Sequence, residues 1–312
     1  MTNAAFVFPG QGSQSVGMMT QWGEHQAVVD DLFEQASEVL GFNLKAVVSE
    51  GPAEQLNQTA VTQPAMLVSG FAAFRVWQSL DLVEPSVCAG HSLGEYTALV
   101  CAGSMQFADA VKLVAERGRL MQSAVAEDEG AMAAIIGLDD DAVVKACAAV
   151  EQGVVSAVNF NSPGQVVIGG NRASVEQAMD NARQLGAKRA LPLPVSVPSH
   201  CALMEPAAER LAQVLESIDL EMPRVPVIHN QNADVADSVD QIRHQLRLQL
   251  FSPVLWVACV NKMQQMGVDT LIEMGPGKVL SGLARRIDRG LIAHAVFDAD
   301  SLVKSKQTIG GS

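Results

Sequence analysis

Ser92 stands in the run Gly90-His91-Ser92-Leu93-Gly94-Glu95. A Gly-x-Ser-x-Gly pattern can carry a nucleophile on a sharp strand-to-helix turn. Its glycines let the backbones pass close together. At the head of the helix, backbone N–H groups and the helix dipole favour negative charge on a bound oxygen. The plainer alternative is a glycine-rich turn with no chemistry. A serine hydroxyl needs a general base at neutral pH, and the chain offers six histidines. His25 and His244 fall on charged helical faces, His229 ends an expected strand, and His294 lies near the tail. His91 precedes the serine, with its ring directed away from the hydroxyl. His200 ends a segment stiffened by Pro192, Pro194 and Pro198, at the start of an expected helix. A base must keep its ring still, so this rigid position suits best; a structural histidine is the competing reading. Arg117 completes the set. It falls on the inward side of an amphipathic helix, where a guanidinium stays charged and needs an anion. That anion is either an internal Asp or Glu or a substrate carboxylate.

The elements that must position these groups are legible from period and punctuation. Phe6 to Phe8 reads as a strand, followed by the polar loop Pro9-Gly10-Gln11-Gly12-Ser13-Gln14. Such a loop is where α/β proteins place ligand-binding groups. Gln11 lies between two glycines, but the loop matches neither phosphate-binding fingerprint. Helical spacing covers residues 26–40 and stops at Gly41. Gly51-Pro52 opens a short helical piece. A strongly apolar helix is expected from Ala65 to Leu80, opened by Thr62-Gln63-Pro64. Ser86 to Ala89 is the strand before the serine turn, and Tyr96 to Ala102 the helix after it. Phe107 to Val125 is the amphipathic helix that carries Arg117, with Val111, Val114 and Met121 inward and Lys112, Glu116 and Arg119 outward.

Residues 131–193 then change character. Strand, helix, two strands joined at Asn161-Ser162-Pro163-Gly164, helix and strand follow in the order βαββαβ, that of a ferredoxin-like unit. The α/β pattern resumes afterwards, so the unit reads as an insertion. Later expectations are a helix from Cys201 to Ser217, a strand from Val225 to His229, and helices at Val239 to Leu250 and Trp256 to Met266. A strand at Thr270 to Met274 and a helix at Val279 to Ile287 follow. The tail after Asp298 is expected to be polar and frayed.

Composition narrows the class. The chain has 312 residues, 48% hydrophobic and 18% charged, which suits a globular protein with a sizeable core. Its formal net charge of −13 argues against nucleic acid or an anionic membrane as partner. Five scattered cysteines, without a Cys-x-x-Cys pair, argue for a reducing cytoplasm and against a disulfide framework or a zinc site. No apolar run is long enough to span a bilayer, and no signal peptide is apparent.

Set in order, Phe8-Pro9-Gly10-Gln11-Gly12-Ser13-Gln14, Gly90 to Glu95, Arg117, Asn159-Phe160-Asn161-Ser162-Pro163-Gly164-Gln165, Pro198-Ser199-His200 and Glu273-Met274-Gly275-Pro276-Gly277 resemble the bacterial malonyl-CoA:acyl carrier protein transacylases of fatty acid synthesis. The resemblance covers almost the whole chain. It implies an α/β-hydrolase-like large domain (1–127 and 195–300) with an inserted ferredoxin-like small domain (128–194) and a polar tail (301–312). It implies Ser92 as nucleophile, His200 as base, and Gln249 as the residue whose main-chain carbonyl orients that histidine in place of an acid. Backbone N–H groups of Gln11 and Leu93 would form the oxyanion hole. Arg117 would hold the malonyl carboxylate, Met121 and Ser199 would shape the acyl pocket, and Asn159 and Asn161 would help bind the pantetheine arm. Malonyl-CoA and acyl carrier protein are the implied partners, with no cofactor, no metal and a cytoplasmic monomer. Lys188, Arg189, Lys278, Arg285 and Arg286 are candidates for docking the acidic carrier. A serine hydrolase, a non-catalytic carrier-binding protein, and an acyltransferase for a branched or longer group remain alternatives.

Overall fold

A computed structural model of the chain describes residues 2–126, 128–195 and 197–310. Ser196, inside the proline-stiffened segment, lies outside the described residues, as do Gly311 and Ser312 of the expected tail. From the N-terminus, β1 (Ala4–Phe8) is followed by α1 (Gln26–Leu40), α2 (Leu44–Glu50), α3 (Ala53–Leu56) and α4 (Thr59–Gln78). Next come β2 (Val87–Gly90), α5 (Gly94–Cys101) and α6 (Phe107–Ser123). The unit β3 (Gly130–Ile136), α7 (Asp140–Ala148), β4 (Val155–Ser162), β5 (Gln165–Asn171), α8 (Arg172–Gln184) and β6 (Arg189–Pro192) follows. The chain then forms α9 (Glu205–Glu216), β7 (Val227–Ile228), α10 (Val239–Gln249), α11 (Trp256–Gln265), β8 (Thr270–Met274), α12 (Val279–Ile287), β9 (Ile292–Val296) and α13 (Ala299–Gly310).

The architecture is mixed α/β, with one parallel and one separate antiparallel sheet. The parallel sheet has five strands in the order β7-β2-β1-β8-β9. Its central strands β1, β2 and β8 are buried on both faces because helices cover both, as parallel sheets require. The antiparallel sheet has four strands in the order β4-β5-β3-β6. It has its own core, in which Ile135, Val166, Ile168 and Val175 are buried together. Its β4 is tied to the chain just after α10, where Phe160 N–H donates to Val254 O at 3.0 Å and Val254 N–H to Val158 O at 2.9 Å. Among the described residues, no helix is long and apolar enough to cross a membrane.

Several expectations shift. α4 begins at Thr59 and runs through Pro64. The ring removes only one intrahelical bond, and the helix is buried on nearly every side, so packing decides. β4 continues to Ser162, leaving a tighter turn at Pro163-Gly164. The helix expected at Cys201 starts with a 3-10 turn, Ala202–Met204, before α9. α2 and β9 had no clear period in the sequence, being short. Residues 299–310 of the expected tail are not frayed. They form α13, capped by Asp298 Oδ1 accepting from Ser301 N–H at 2.7 Å and anchored by buried Leu302.

Candidate active site

Phe8 pairs with Gly90 at the carboxyl ends of β1 and β2, which sets the Pro9–Gln14 loop beside the serine turn. The turn is tight. A Cβ on Gly90 would lie 1.9 Å from the Gly94 carbonyl, and one on Gly94 would lie 2.0 Å from Phe8 O. Ser92 itself has φ 52°, a left-handed conformation that a non-glycine residue adopts only under constraint. Its N–H donates to Asn230 Oδ1 at 2.6 Å, and Asn230 Nδ2 donates to Gly90 O at 2.7 Å. Asn230, two residues past β7, thus clasps the turn from the loop after the neighbouring strand.

His200 also sits at positive φ, 65°, with its N–H bonded to Leu250 O at 2.9 Å. Its Nδ1 lies 2.7 Å from Gln249 O, and its Nε2 lies 2.7 Å from Ser92 Oγ. A carbonyl oxygen only accepts, so Nδ1 carries the hydrogen and Nε2 presents its lone pair to the hydroxyl. Burial, and then the nearby Arg117 charge, push the imidazole pKa down to about 3. Nε2 is therefore unprotonated at neutral pH, as a base must be.

Arg117 reaches the same point from α6. Gly118, beside it, lets α6 press against the start of α4, because any Cβ there would lie 2.6 Å from Thr59 O. That contact brings Arg117 Nη1 within 2.8 Å of Gln63 Oε1 on α4. Nη2 donates to Gln249 Oε1 at 3.0 Å and to Ser92 Oγ at 3.3 Å. The guanidinium carbon lies 5.2 Å from the Tyr96 ring centre. Arg117 is buried, and among the described residues it forms no ion pair with any carboxylate. Its Nε has no partner there either. Burial lowers its pKa, chiefly by desolvation, without discharging a guanidinium.

The remaining expected residues gather around one cleft of about 480 Å3 between the two sheets. Gln11, Leu93, Met121, Asn159, Asn161 and Ser199 all line it. Among the described residues, the N–H groups of Gln11 and Leu93 have no hydrogen-bond partner, so they are free to receive an anionic oxygen. Asn161 Oδ1 lies 2.8 Å from His91 Nε2, so the His91 ring faces the antiparallel sheet rather than the hydroxyl. Gln249 is present in full: its carbonyl holds the histidine and its side chain touches Arg117. Among the described residues, no cluster of side chains could hold a metal ion.

Sequence reasoning passed over Gln63, Glu95, His229 and Asn230 as parts of the site. Glu95 is fully buried on α5 and accepts from Asn230 N–H at 2.9 Å and Gln249 Nε2 at 2.8 Å. Its other oxygen lies 2.8 Å from His229 Nδ1. Two signals were available: a polar Gln63 inside an apolar helix, and the His229-Asn230 pair at the carboxyl end of a strand.

The acyl transferase domain family model matches residues 5–291. The chain is 53% identical over 303 residues to the malonyl CoA-acyl carrier protein transacylase of Escherichia coli strain K12, spanning 97% of this chain and 98% of that protein. The solved acyl carrier protein S-malonyltransferase of Vibrio cholerae matches with a TM-score of 0.95 and 56% identity, covering 98% of this chain and 100% of that one. A malonyl-transacylase solved in complex with its type II PKS acyl-carrier protein matches with a TM-score of 0.97 and 51% identity, covering 100% of both chains.

Proposed function

The chain belongs to the acyl transferase family and, within it, to the malonyl CoA-acyl carrier protein transacylases, and from that premise we propose that it transfers malonyl groups from malonyl-CoA to the phosphopantetheine thiol of holo acyl carrier protein. The carrying observation is the buried Arg117 guanidinium, without a carboxylate partner among the described residues, 3.3 Å from Ser92 Oγ. It selects an acyl group that brings its own carboxylate, held by charge-assisted hydrogen bonds.

In the first half, Ser92 Oγ attacks the thioester carbonyl while its proton passes to His200 Nε2. The N–H groups of Gln11 and Leu93 stabilise the oxyanion. The C–S bond breaks, His200 returns the proton to the leaving thiolate, and CoA departs. In the second half, the carrier thiol gives its proton to His200 and attacks the malonyl ester. The Ser92 oxygen leaves and recovers the proton. Gln249 O keeps the imidazole tautomer fixed throughout, a role that an acidic side chain fills in hydrolases. Met121 and Ser199 bound the acyl group, and Asn159 and Asn161 flank the path of the pantetheine arm. The cycle supplies malonyl units for fatty acid synthesis. The parallel-sheet unit, 1–127 with 195–300, is read as α/β-hydrolase-like, and 128–194 as an inserted ferredoxin-like domain. The latter reading rests on the strand order and on the crossing helices α7 and α8.

Intact-mass measurement after mixing with malonyl-CoA tests the first half. A malonyl adduct on the wild type, absent from Ser92→Ala, is expected. An unmodified wild type, or an adduct that survives in Ser92→Ala, overturns the reading.

A further inference from the structure

One residue touches His200, Arg117 and the main chain of Ser92. Gln249, at the end of α10, holds His200 through its carbonyl, while its carboxamide lies between two buried opposite charges. Its Oε1 accepts from Arg117 Nη2 at 3.0 Å, and its Nε2 donates to Glu95 Oε2 at 2.8 Å and to Ser92 O at 3.0 Å. Arg117, Glu95 and Gln249 are each 1% exposed or less. Opposite charges buried this close would ordinarily meet in a direct ion pair, because charges that attract in a low dielectric gain most at contact. Here the amide stands between them. Glu95 is fixed further by Asn230 N–H at the same Oε2 and by His229 Nδ1 at Oε1, and Arg117 is held by Gln63 at Nη1.

We propose that the Gln249 side chain is a positioning and specificity residue, a neutral spacer that keeps Arg117 aimed at Ser92 and away from Glu95. The protein thereby balances a buried guanidinium electrostatically without capping it. The N–H groups of Arg117 that are not bonded to Gln63, Gln249 or Ser92 stay available to the carboxylate that arrives with the substrate. A carboxamide fits this role because it accepts from the cation at one end and donates to the anion at the other. The inference rests on the reading of Arg117 as the holder of the malonyl carboxylate.

The experiment compares the rates of Ser92 acylation by malonyl-CoA and by acetyl-CoA, followed by quenched intact-mass spectrometry. Gln249→Met removes all three side-chain hydrogen bonds at similar volume and leaves the main-chain carbonyl in place. Gln249→Glu puts a carboxylate directly against Arg117. Arg117→Ala sets the scale for complete loss of carboxylate recognition. In both Gln249 variants the malonyl-to-acetyl ratio should fall by about tenfold to a hundredfold, the worth of one hydrogen bond to a charged group. Thermal melting checks folding, and if one variant does not fold the other carries the test. An unchanged ratio, or equal losses for the two acyl groups, overturns the spacer role. Failure of the transferase reading itself would look different, because the wild type would then take up no malonyl group at all.

Discussion

His200 joins two demands in one side chain. In the proposed mechanism its ring must be unprotonated to act as base, and burial beside Arg117 favours this by pushing its pKa from an ordinary 6.5 down to about 3. The same shift makes the fold sensitive to acid. Between those values the unfolded chain binds a proton at His200 and the native chain does not, so stability rises with pH across that window and is lost as pH falls. From about pH 7 to about pH 5 the loss from this residue should be about 2 kcal/mol. Urea unfolding of the wild type and of His200→Gln at both pH values checks it: the variant should lose about that much less on acidification. Equal losses would mean that His200 titrates in the native protein as it does in the unfolded chain. His91 is also buried with a lowered pKa, but it is present in both proteins and cancels. The same shift leaves the base form populated well below pH 6.5, so malonyl loading should show no acid limb from His200 near its ordinary pKa.

At the scale of elements, the serine turn exists because β2 and α5 touch backbone to backbone. Gly90→Ala would drive a methyl group into the Gly94 carbonyl at 1.9 Å, and should cost about 3 kcal/mol or more, at the top of the overpacking range. Gly282 is the contrast. It sits exposed inside α12, and a Cβ there meets nothing within 4 Å, so Gly282→Ala should gain roughly 1 kcal/mol of helix propensity. Urea midpoints of the two variants, in opposite directions from the wild type, are the expected result; a Gly90→Ala protein as stable as the wild type would refute the contact. What was legible in the sequence follows the same division. The turn, the amphipathic helix of Arg117 and the stiff approach to His200 are local, set by glycines, period and prolines. The Arg117–Gln63 bond on α4, the Asn230 clasp and the buried Glu95 join residues far apart in the chain. No local pattern announces which polar group will meet which. α13 was misread because its helix depends on docking Leu302 and on the Asp298 cap, rather than on propensity.

At the scale of the whole molecule, net charge opposes function. The chain carries −13, and an acidic carrier would be repelled at long range unless it meets a local cationic rim. The structure sorts the candidates. Arg285 turns its guanidinium to Ala293 O, on the far strand of the parallel sheet. Lys188 and Arg189 are exposed on the edge of the antiparallel sheet. Lys278 and Arg286 bracket the cleft more closely. Lys278 immediately precedes Val279 and Leu280, which line it, and Arg286 Nη1 donates at 2.6 Å to Gln165, which lines it from the other sheet. The carrier should therefore dock over α12, with its prosthetic arm entering between Gln165 and Val279. The double variant Lys278→Glu, Arg286→Glu should raise the KM for holo carrier by about tenfold, two exposed charge pairs at up to about 1 kcal/mol each, and the gap should close as salt is added. Malonyl-CoA loading, followed separately by intact mass, should change by less than about twofold, inside the range of one weak exposed pair. A loading defect as large as the carrier defect would assign the pair to the phosphates of CoA instead. An unchanged carrier KM would move docking to the Lys188–Arg189 edge.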